Sequence, residues 1–218
     1  MNEKITIRIL LLAAGLTMGL AAPGVAQTTD GSNSAPAADL GKGLLGQSYA
    51  SLGYSYLDAY RKPFDLQGLN FQYNQPLHTG IDFKLALGDY WSTRYSGTRT
   101  QEQSAFAGVI AFMPDLSWGR PFIGAGGGWI WMKQAGARDS TIAGGLSAGV
   151  EFQVTRELSI TPFCTYTATT SLHIDPDNRW EYGVKANYWV THHWALNAQI
   201  SRDNKVDMIY SIGTTWKF

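Results

Sequence analysis

The sequence predicts an all-β fold, a closed up-and-down antiparallel β-barrel that crosses a membrane, and three observations predict it. From residue 47 onward, short segments alternate apolar and polar residues with a period of two. The chain carries 8 Trp, 11 Tyr, 9 Phe and 24 Gly among its 218 residues. After the N-terminal region, no apolar run approaches the roughly 20 residues that a spanning helix needs. Alternating strands rich in aromatic residues and glycine are typical of barrels whose apolar face meets lipid.

The final segment, residues 208–218, shows the alternation most clearly. One face is small or polar, and the other is apolar and largely aromatic. The apolar face comprises Met208, Tyr210, Ile212, Thr214, Trp216 and Phe218. An exposed aromatic residue at the end of a strand is unfavourable in water and favourable in lipid. We therefore expect this strand to lie in a membrane.

Ten strands are predicted in the same way. In chain order they cover residues 47–57, 69–74, 81–88, 105–112, 122–132, 142–154, 158–167, 180–190, 194–201 and 208–218. Aromatic residues gather near their ends, where the girdles of a membrane barrel lie. Longer and shorter connections alternate, as in barrels with long outer loops and tight periplasmic turns. A soluble barrel is the alternative, but it would bury the apolar face and show the polar face to water.

The N-terminus has the features of a secretory signal peptide. Lys4 and Arg8 precede an apolar stretch over residues 9–22, and small residues follow up to Ala26. Such a segment is removed on export. The predicted organisation is a signal peptide at 1–26, a flexible periplasmic leader at 27–43 and the barrel at 44–218. Export together with the barrel pattern places the protein in a bacterial outer membrane.

Charge and cysteine content exclude several other classes. Without residues 1–26, 15 of the 17 basic and 16 of the 17 acidic residues remain, a formal charge of −1. A chain with this charge has no excess of basic residues with which to bind the phosphates of nucleic acid. Cys164 is the one cysteine, so it cannot form an intramolecular disulfide. His192 and His193 are adjacent and would point to opposite faces, a poor arrangement for a metal. We expect no metal and no cofactor.

Five charged residues fall on the predicted inner face of the barrel. They are Asp82, Lys84, Glu151, Glu181 and Lys185. Charges inside a narrow barrel must pair or be wetted. One hypothesis is a salt-bridged plug that fills the lumen, and the other is a narrow polar path for ions or small solutes. We favour the plug because barrels of this size are usually filled by side chains.

The predicted outer loop at residues 168–179 holds the candidate chemistry. His173, Asp175 and Asp177 could bind a divalent cation, and Ser171 with His173 and Asp175 could form a hydrolytic set. A His with Asp residues on an outer loop resembles the residues that the omptin proteases carry near their outer rim. Omptins are ten-stranded barrels. The Asp-Pro-Asp-Asn sequence is also an ordinary turn, and the glycine and final glutamate of a calcium loop are missing. We favour the turn.

The mature chain as a whole resembles the small outer-membrane β-barrels of the OmpA/OmpX type. The resemblance rests on the signal peptide, the alternating segments and the terminal aromatic strand. The best-known members have eight strands, so eight is the alternative to ten. The resemblance implies that the barrel-assembly machinery recognises the last strand. The residues that would carry this signal are Tyr210, Ile212, Trp216 and Phe218.

The resemblance also sets expectations about role and partners. We expect a monomeric, non-enzymatic barrel with a structural or surface-interaction role. A narrow porin-like pore is the second hypothesis, and an outer-membrane enzyme that hydrolyses lipids or peptides is the third. The expected partners are outer-membrane lipid and lipopolysaccharide, with the assembly machinery and periplasmic chaperones during biogenesis.

Overall fold

The computed structural model describes residues 43–58, 66–92, 100–114, 116, 118–134, 137–170, 179–203 and 208–218. The predicted signal peptide and all but residue 43 of the predicted leader lie outside these residues. Within the described part of the chain, no helix is long and apolar enough to cross a membrane.

The described residues form ten antiparallel strands, and the predicted fold class is confirmed. The strands are β1 (Tyr49–Asp58), β2 (Leu66–His78), β3 (Ile81–Ser92), β4 (Thr100–Phe112), β5 (Arg120–Gln134), β6 (Ala137–Gln153), β7 (Leu158–Thr170), β8 (Arg179–Trp189), β9 (Trp194–Asp203) and β10 (Met208–Lys217). Each strand pairs with the next, and β10 pairs with β1 to close the barrel. Closure satisfies the backbone hydrogen bonds of every strand and leaves no open edge in lipid.

The connections define the two ends of the barrel. We call the end with the connections β2–β3, β4–β5, β6–β7 and β8–β9 the turn side, and the opposite end the loop side. The turns are tight. Gly80 has a φ of 79°, a left-handed conformation that favours glycine, and its carbonyl accepts a hydrogen bond of 2.8 Å from the Phe112 N–H. Val154 N donates to Leu158 O at 2.9 Å, and Val190 N to Trp194 O at 2.8 Å.

Several strands are longer than their sequence pattern predicted. Residues 133–140 were expected to be a loop, but β5 and β6 stay paired up to Gln134 and Ala137. That prediction is wrong because it relied on the polar side chains of this stretch. Hydrogen bonding between β5 and β6 continues beyond the apolar band of the barrel. β2 also extends through Pro76, where its register with β3 shifts. A proline lacks an N–H for the ladder, so a bulge is a suitable place for it.

The outer surface of the barrel is apolar around its circumference. Ile123, Leu146 and Ile212 are 66%, 58% and 65% exposed, and each belongs to a different strand. The inner surface carries most of the buried polar and charged side chains, including Ser51, Gln72 and Thr165. A soluble barrel would show the opposite arrangement. The distribution of polarity is that of a transmembrane barrel, whose outer face meets hydrocarbon.

Aromatic side chains pack against one another at both rims of the apolar band. On the loop side, the rings of Tyr166 and Trp180 lie 4.9 Å apart. On the turn side, Trp194 and Trp216 meet edge to face at 5.2 Å. These positions match the interfacial girdles that the sequence predicted near the strand ends.

Glycine inside the barrel makes room for large neighbours. Gly68 on β2 lies directly opposite Tyr90 on β3, and Tyr90 is almost completely buried. A Cβ at Gly68 would lie 2.7 Å from the Cγ of Tyr90 and 2.6 Å from the carbonyl oxygen of Asp89. The tyrosine ring therefore occupies space that exists because residue 68 has no side chain.

Candidate functional site: the barrel lumen

The lumen contains the five charged side chains that the sequence analysis singled out. All five are buried, with exposures between 0 and 5%. They are Asp82, Lys84, Glu151, Glu181 and Lys185. Asp82, Lys84, Lys185 and Glu151 are linked by successive electrostatic interactions. Glu181 interacts instead with Arg179 and Asp203 nearer the loop side.

The loop-side part of the lumen holds a charged cluster on β4, β8 and β9. The Arg179 Nε lies 3.2 Å from the Asp203 Oδ2, and both side chains are buried. Arg179 also interacts electrostatically with Glu181 and Glu102, and the Ser201 hydroxyl donates a 2.6 Å hydrogen bond to Glu181. Among the described residues, Arg179 thus interacts with the carboxylates of Glu102, Glu181 and Asp203, all of which are buried.

The sequence analysis missed three members of this cluster. Glu102, Arg179 and Asp203 were assigned to connections because their surroundings are polar. They lie instead at the loop-side ends of β4, β8 and β9. The alternation of side chains along each strand could have identified them as inward-facing. Each lies an even number of residues from an inward-facing neighbour such as Ser104 or Glu181.

The middle of the lumen is the site of two lysines. Lys84 on β3 interacts with the like charge of Lys185 on β8 and with the opposite charge of Asp82. Asp82 in turn accepts a hydrogen bond from the Asn74 side-chain amide. Cavities beside Lys84 and Lys185 measure about 30 and 20 Å³. Each of these two cavities has room for about one water molecule.

Residues that precede β1 fold into the turn-side mouth of the barrel. Leu44 and Leu45 are 0% exposed. The N–H groups of Leu44 and Leu45 donate to the two carboxylate oxygens of Glu151 at 2.7 and 3.3 Å. Arg120 forms a 3.2 Å ion pair with Glu151. Within the predicted barrel domain of 44–218, the strand wall therefore starts at Tyr49, and the residues before it enter the barrel.

The outer-face residues proposed as an assembly signal all lie on β10 or directly after it. Tyr210, Ile212, Trp216 and Phe218 are exposed toward the exterior. Phe218 stacks on Tyr73 of β2 with ring centroids 6.1 Å apart, and its N–H donates to the Ser48 carbonyl at 3.2 Å. The last residue is therefore tied across the closing seam of the barrel.

The other candidate sites gain no support from the described residues. The set containing Ser171, His173, Asp175 and Asp177 lies outside them. His192 and His193 are exposed in the turn after β8, and the His193 ring stacks on Trp216. In the part of the chain that the structure describes, no group of three or more His, Cys, Asp or Glu side chains is arranged to hold a metal.

Solved structures with a similar fold include three bacterial proteins. The translocator domain of the autotransporter NalP from Neisseria meningitidis matches with a TM-score of 0.49 and 12% identity, over 79% of this chain and 89% of that chain. Neisserial surface protein A gives 0.45 and 15%, over 78% and 96%. The outer membrane protease OmpT from Escherichia coli gives 0.46 and 10%, over 79% and 94%. No protein-family model and no curated protein matches the sequence.

Proposed function

We propose that this chain is an integral outer-membrane β-barrel with a structural or surface-interaction role, and that polar side chains fill its lumen. The observation that carries the proposal is the burial of the inward charges. The inward side chains of the barrel include four charged residues that are at most 5% exposed. They are Lys84, Glu102, Glu181 and Lys185. In an open aqueous channel the same side chains would be hydrated. Filled lumens are typical of barrels of this size.

Conductance across a planar lipid bilayer tests this function. The full mature protein is purified, refolded in detergent and added to a bilayer in potassium chloride. We expect no steady, discrete openings. Regular openings of uniform size from the unmodified protein would overturn the filled-lumen proposal and favour the narrow pore instead.

The proposed outer-membrane location depends on recognition of the last strand during assembly. Phe218→Ala removes the terminal aromatic ring, which is 61% exposed on the outer face, while Phe71→Ala removes an outward ring of β2 that is 36% exposed. Each substitution deletes one lipid-facing phenyl ring. We expect a lower outer-membrane yield for Phe218→Ala than for Phe71→Ala, measured as the heat-modifiable folded band in membrane fractions. Equal yields would contradict a signalling role for Phe218.

The proposed role is also non-enzymatic. A lipid- or peptide-hydrolysing activity of the purified protein that is lost on His173→Ala would overturn this part of the proposal. We further propose a monomer, because the closed sheet leaves no strand edge for pairing with a second copy. The proposed contacts are with outer-membrane lipid and lipopolysaccharide at the apolar band, and with the assembly machinery and periplasmic chaperones before insertion.

A further inference from the structure

Residues 43–46, which we call the plug segment, run inside the turn-side mouth of the barrel. Three successive backbone N–H groups of this segment are bound by side chains of β6. Gly43 donates to the Gln153 Oε1 at 2.8 Å, and Leu44 and Leu45 donate to Glu151 at 2.7 and 3.3 Å. Residues 44–46 form a bend and a turn, and Gly43 and Gly46 have φ of 23° and 81°. The contacts therefore hold a peptide turn, with a carboxylate at its centre.

Arg120 on β5 completes the polar part of the site. Its guanidinium pairs with Glu151 at 3.2 Å and donates to the Leu45 carbonyl at 3.2 Å. Arg120 therefore contacts both the carboxylate and the peptide that the carboxylate holds. If the plug segment left, Glu151 would lose two charge-assisted bonds in a buried position. The segment and the mouth are thus energetically coupled.

The apolar part of the site matches the two leucines. Leu45 packs in a cluster formed by four inward-facing residues of β4, β5 and β7. They are Ile110, Phe112, Phe122 and Phe163. Leu44 packs in a separate cluster with Tyr49, Trp189 and Ala195. These apolar side chains line the inner wall at the level where the leucines lie, and they would meet water if the segment were absent.

We infer that the turn-side mouth is a binding site for an apolar peptide turn, occupied by the chain's own residues 43–46, which seal the lumen at that end. The inference rests on the proposed function, because it takes the turn side as the periplasmic side of a filled membrane barrel. It goes beyond that function by identifying the element that closes one end. Glu151 is a positioning residue here, since it holds the segment and does not itself block the lumen.

Thiol labelling tests the occupancy of the site. The protein carries Leu44→Cys in a Cys164→Ser background and is refolded into vesicles, and a water-soluble maleimide is added. We expect slow labelling with Glu151 in place and at least about tenfold faster labelling with Glu151→Gln, because two charge-assisted bonds are weakened. Glu157→Gln is the matched control, since Glu157 lies in the adjacent turn and contacts neither leucine. Fast labelling with Glu151 in place, or equal rates in both variants, would overturn the inference.

Water access at the turn-side mouth tests the sealing role. Leu44→Ser combined with Leu45→Ser removes the apolar contacts of the plug segment, and Leu77→Ser is the control because Leu77 is 62% exposed on the same rim. Both carry Ala195→Cys in the Cys164→Ser background, since Ala195 is 0% exposed and packs against Leu44. We expect faster maleimide labelling of this thiol in the double variant than in the control, with the same folded-band shift in both. A folded double variant labelled as slowly as the control would overturn sealing by this segment.

The two sets of experiments separate the inference from the function on which it rests. If the unmodified protein conducts while the Leu44→Cys thiol stays protected, the filled lumen fails and the peptide site stands. If the thiol is labelled rapidly while the unmodified protein stays silent, the peptide site fails and the filled lumen stands.

Discussion

An arginine on the lipid-facing side of β6 provides a quantitative test of the transmembrane assignment. Leu146 faces outward, is 58% exposed, and pairs with Ala125 and Tyr166 on the neighbouring strands. Ser140 and Phe152 lie six residues away in either direction on the same face. Six residues rise about 20 Å along a strand, or about 14 Å along the membrane normal at a tilt of about 45°. This is about half the hydrocarbon thickness of about 30 Å, so Leu146 lies near the midplane.

The expected cost of Leu146→Arg has two parts. An arginine facing lipid at the midplane costs about 2–4 kcal/mol. Burying a whole leucine side chain in an apolar medium is worth about 1.5–3 kcal/mol, so losing the lipid-facing part of Leu146 costs about 1–2 kcal/mol more. The total loss in free energy of unfolding is about 3–6 kcal/mol. Leu146→Ala should show the second part alone, about 1–2 kcal/mol. Ser140→Arg, near the interface, should cost about 0–1 kcal/mol.

The assay is reversible unfolding by urea in lipid vesicles, followed by tryptophan fluorescence. The expected order of destabilisation is Leu146→Arg, then Leu146→Ala, then Ser140→Arg. A barrel that keeps its outer face in water would tolerate arginine at both positions. A cost below about 1 kcal/mol for Leu146→Arg, or equal costs for the two arginine variants, would refute the reasoning.

Two further predictions concern the lumen, and the same unfolding assay measures both. Gly68→Ala places a Cβ against a buried tyrosine ring and should cost about 1–3 kcal/mol. Gly144→Ala should be nearly neutral because its Cβ would meet nothing closer than 3.8 Å, and similar costs for both would contradict the packing argument. Arg179→Met leaves Asp203 buried without its cation and should cost about 3–5 kcal/mol. Arg202→Met is the control on the exposed face of the same region, and it should change stability by less than about 0.5 kcal/mol. A larger loss of stability for Arg202→Met than for Arg179→Met would show that the Arg179–Asp203 ion pair does not cause the destabilisation.

The strands and their two faces could be read from the sequence because a strand has a period of two. Once one residue of a strand is assigned to lipid, every second residue follows it. The outward faces of Tyr210 and Ile212 on β10 and the tenth strand itself were therefore predictable without a structure. The ends of the strands were less predictable. Residues 133–134 and 138–140 are polar, and their pairing depends on the facing strand, which local composition does not reveal.

Which side chains meet across the lumen was decided by the tertiary structure. Glu102 and Arg179 are far apart in sequence, and the barrel brings them together because the closed sheet curves their strands toward a common axis. Periodicity places a side chain inside, but its partners depend on strand order, register and tilt around the whole wall.

The residues before β1 show most clearly the difference between what the local sequence determines and what the tertiary structure decides. The terminal aromatic strand is determined by its own eleven residues, since alternation of apolar and polar residues is a local property. The plug segment has no such pattern, and its sequence only placed residue 43 at the end of the predicted leader and residues 44–46 at the start of the predicted barrel domain. Its place in the turn-side mouth depends on Glu151, which lies 107 residues beyond Leu44. A contact of that kind exists only after the barrel has closed around it, because the carboxylate, the guanidinium and the apolar clusters that hold the segment come from different strands.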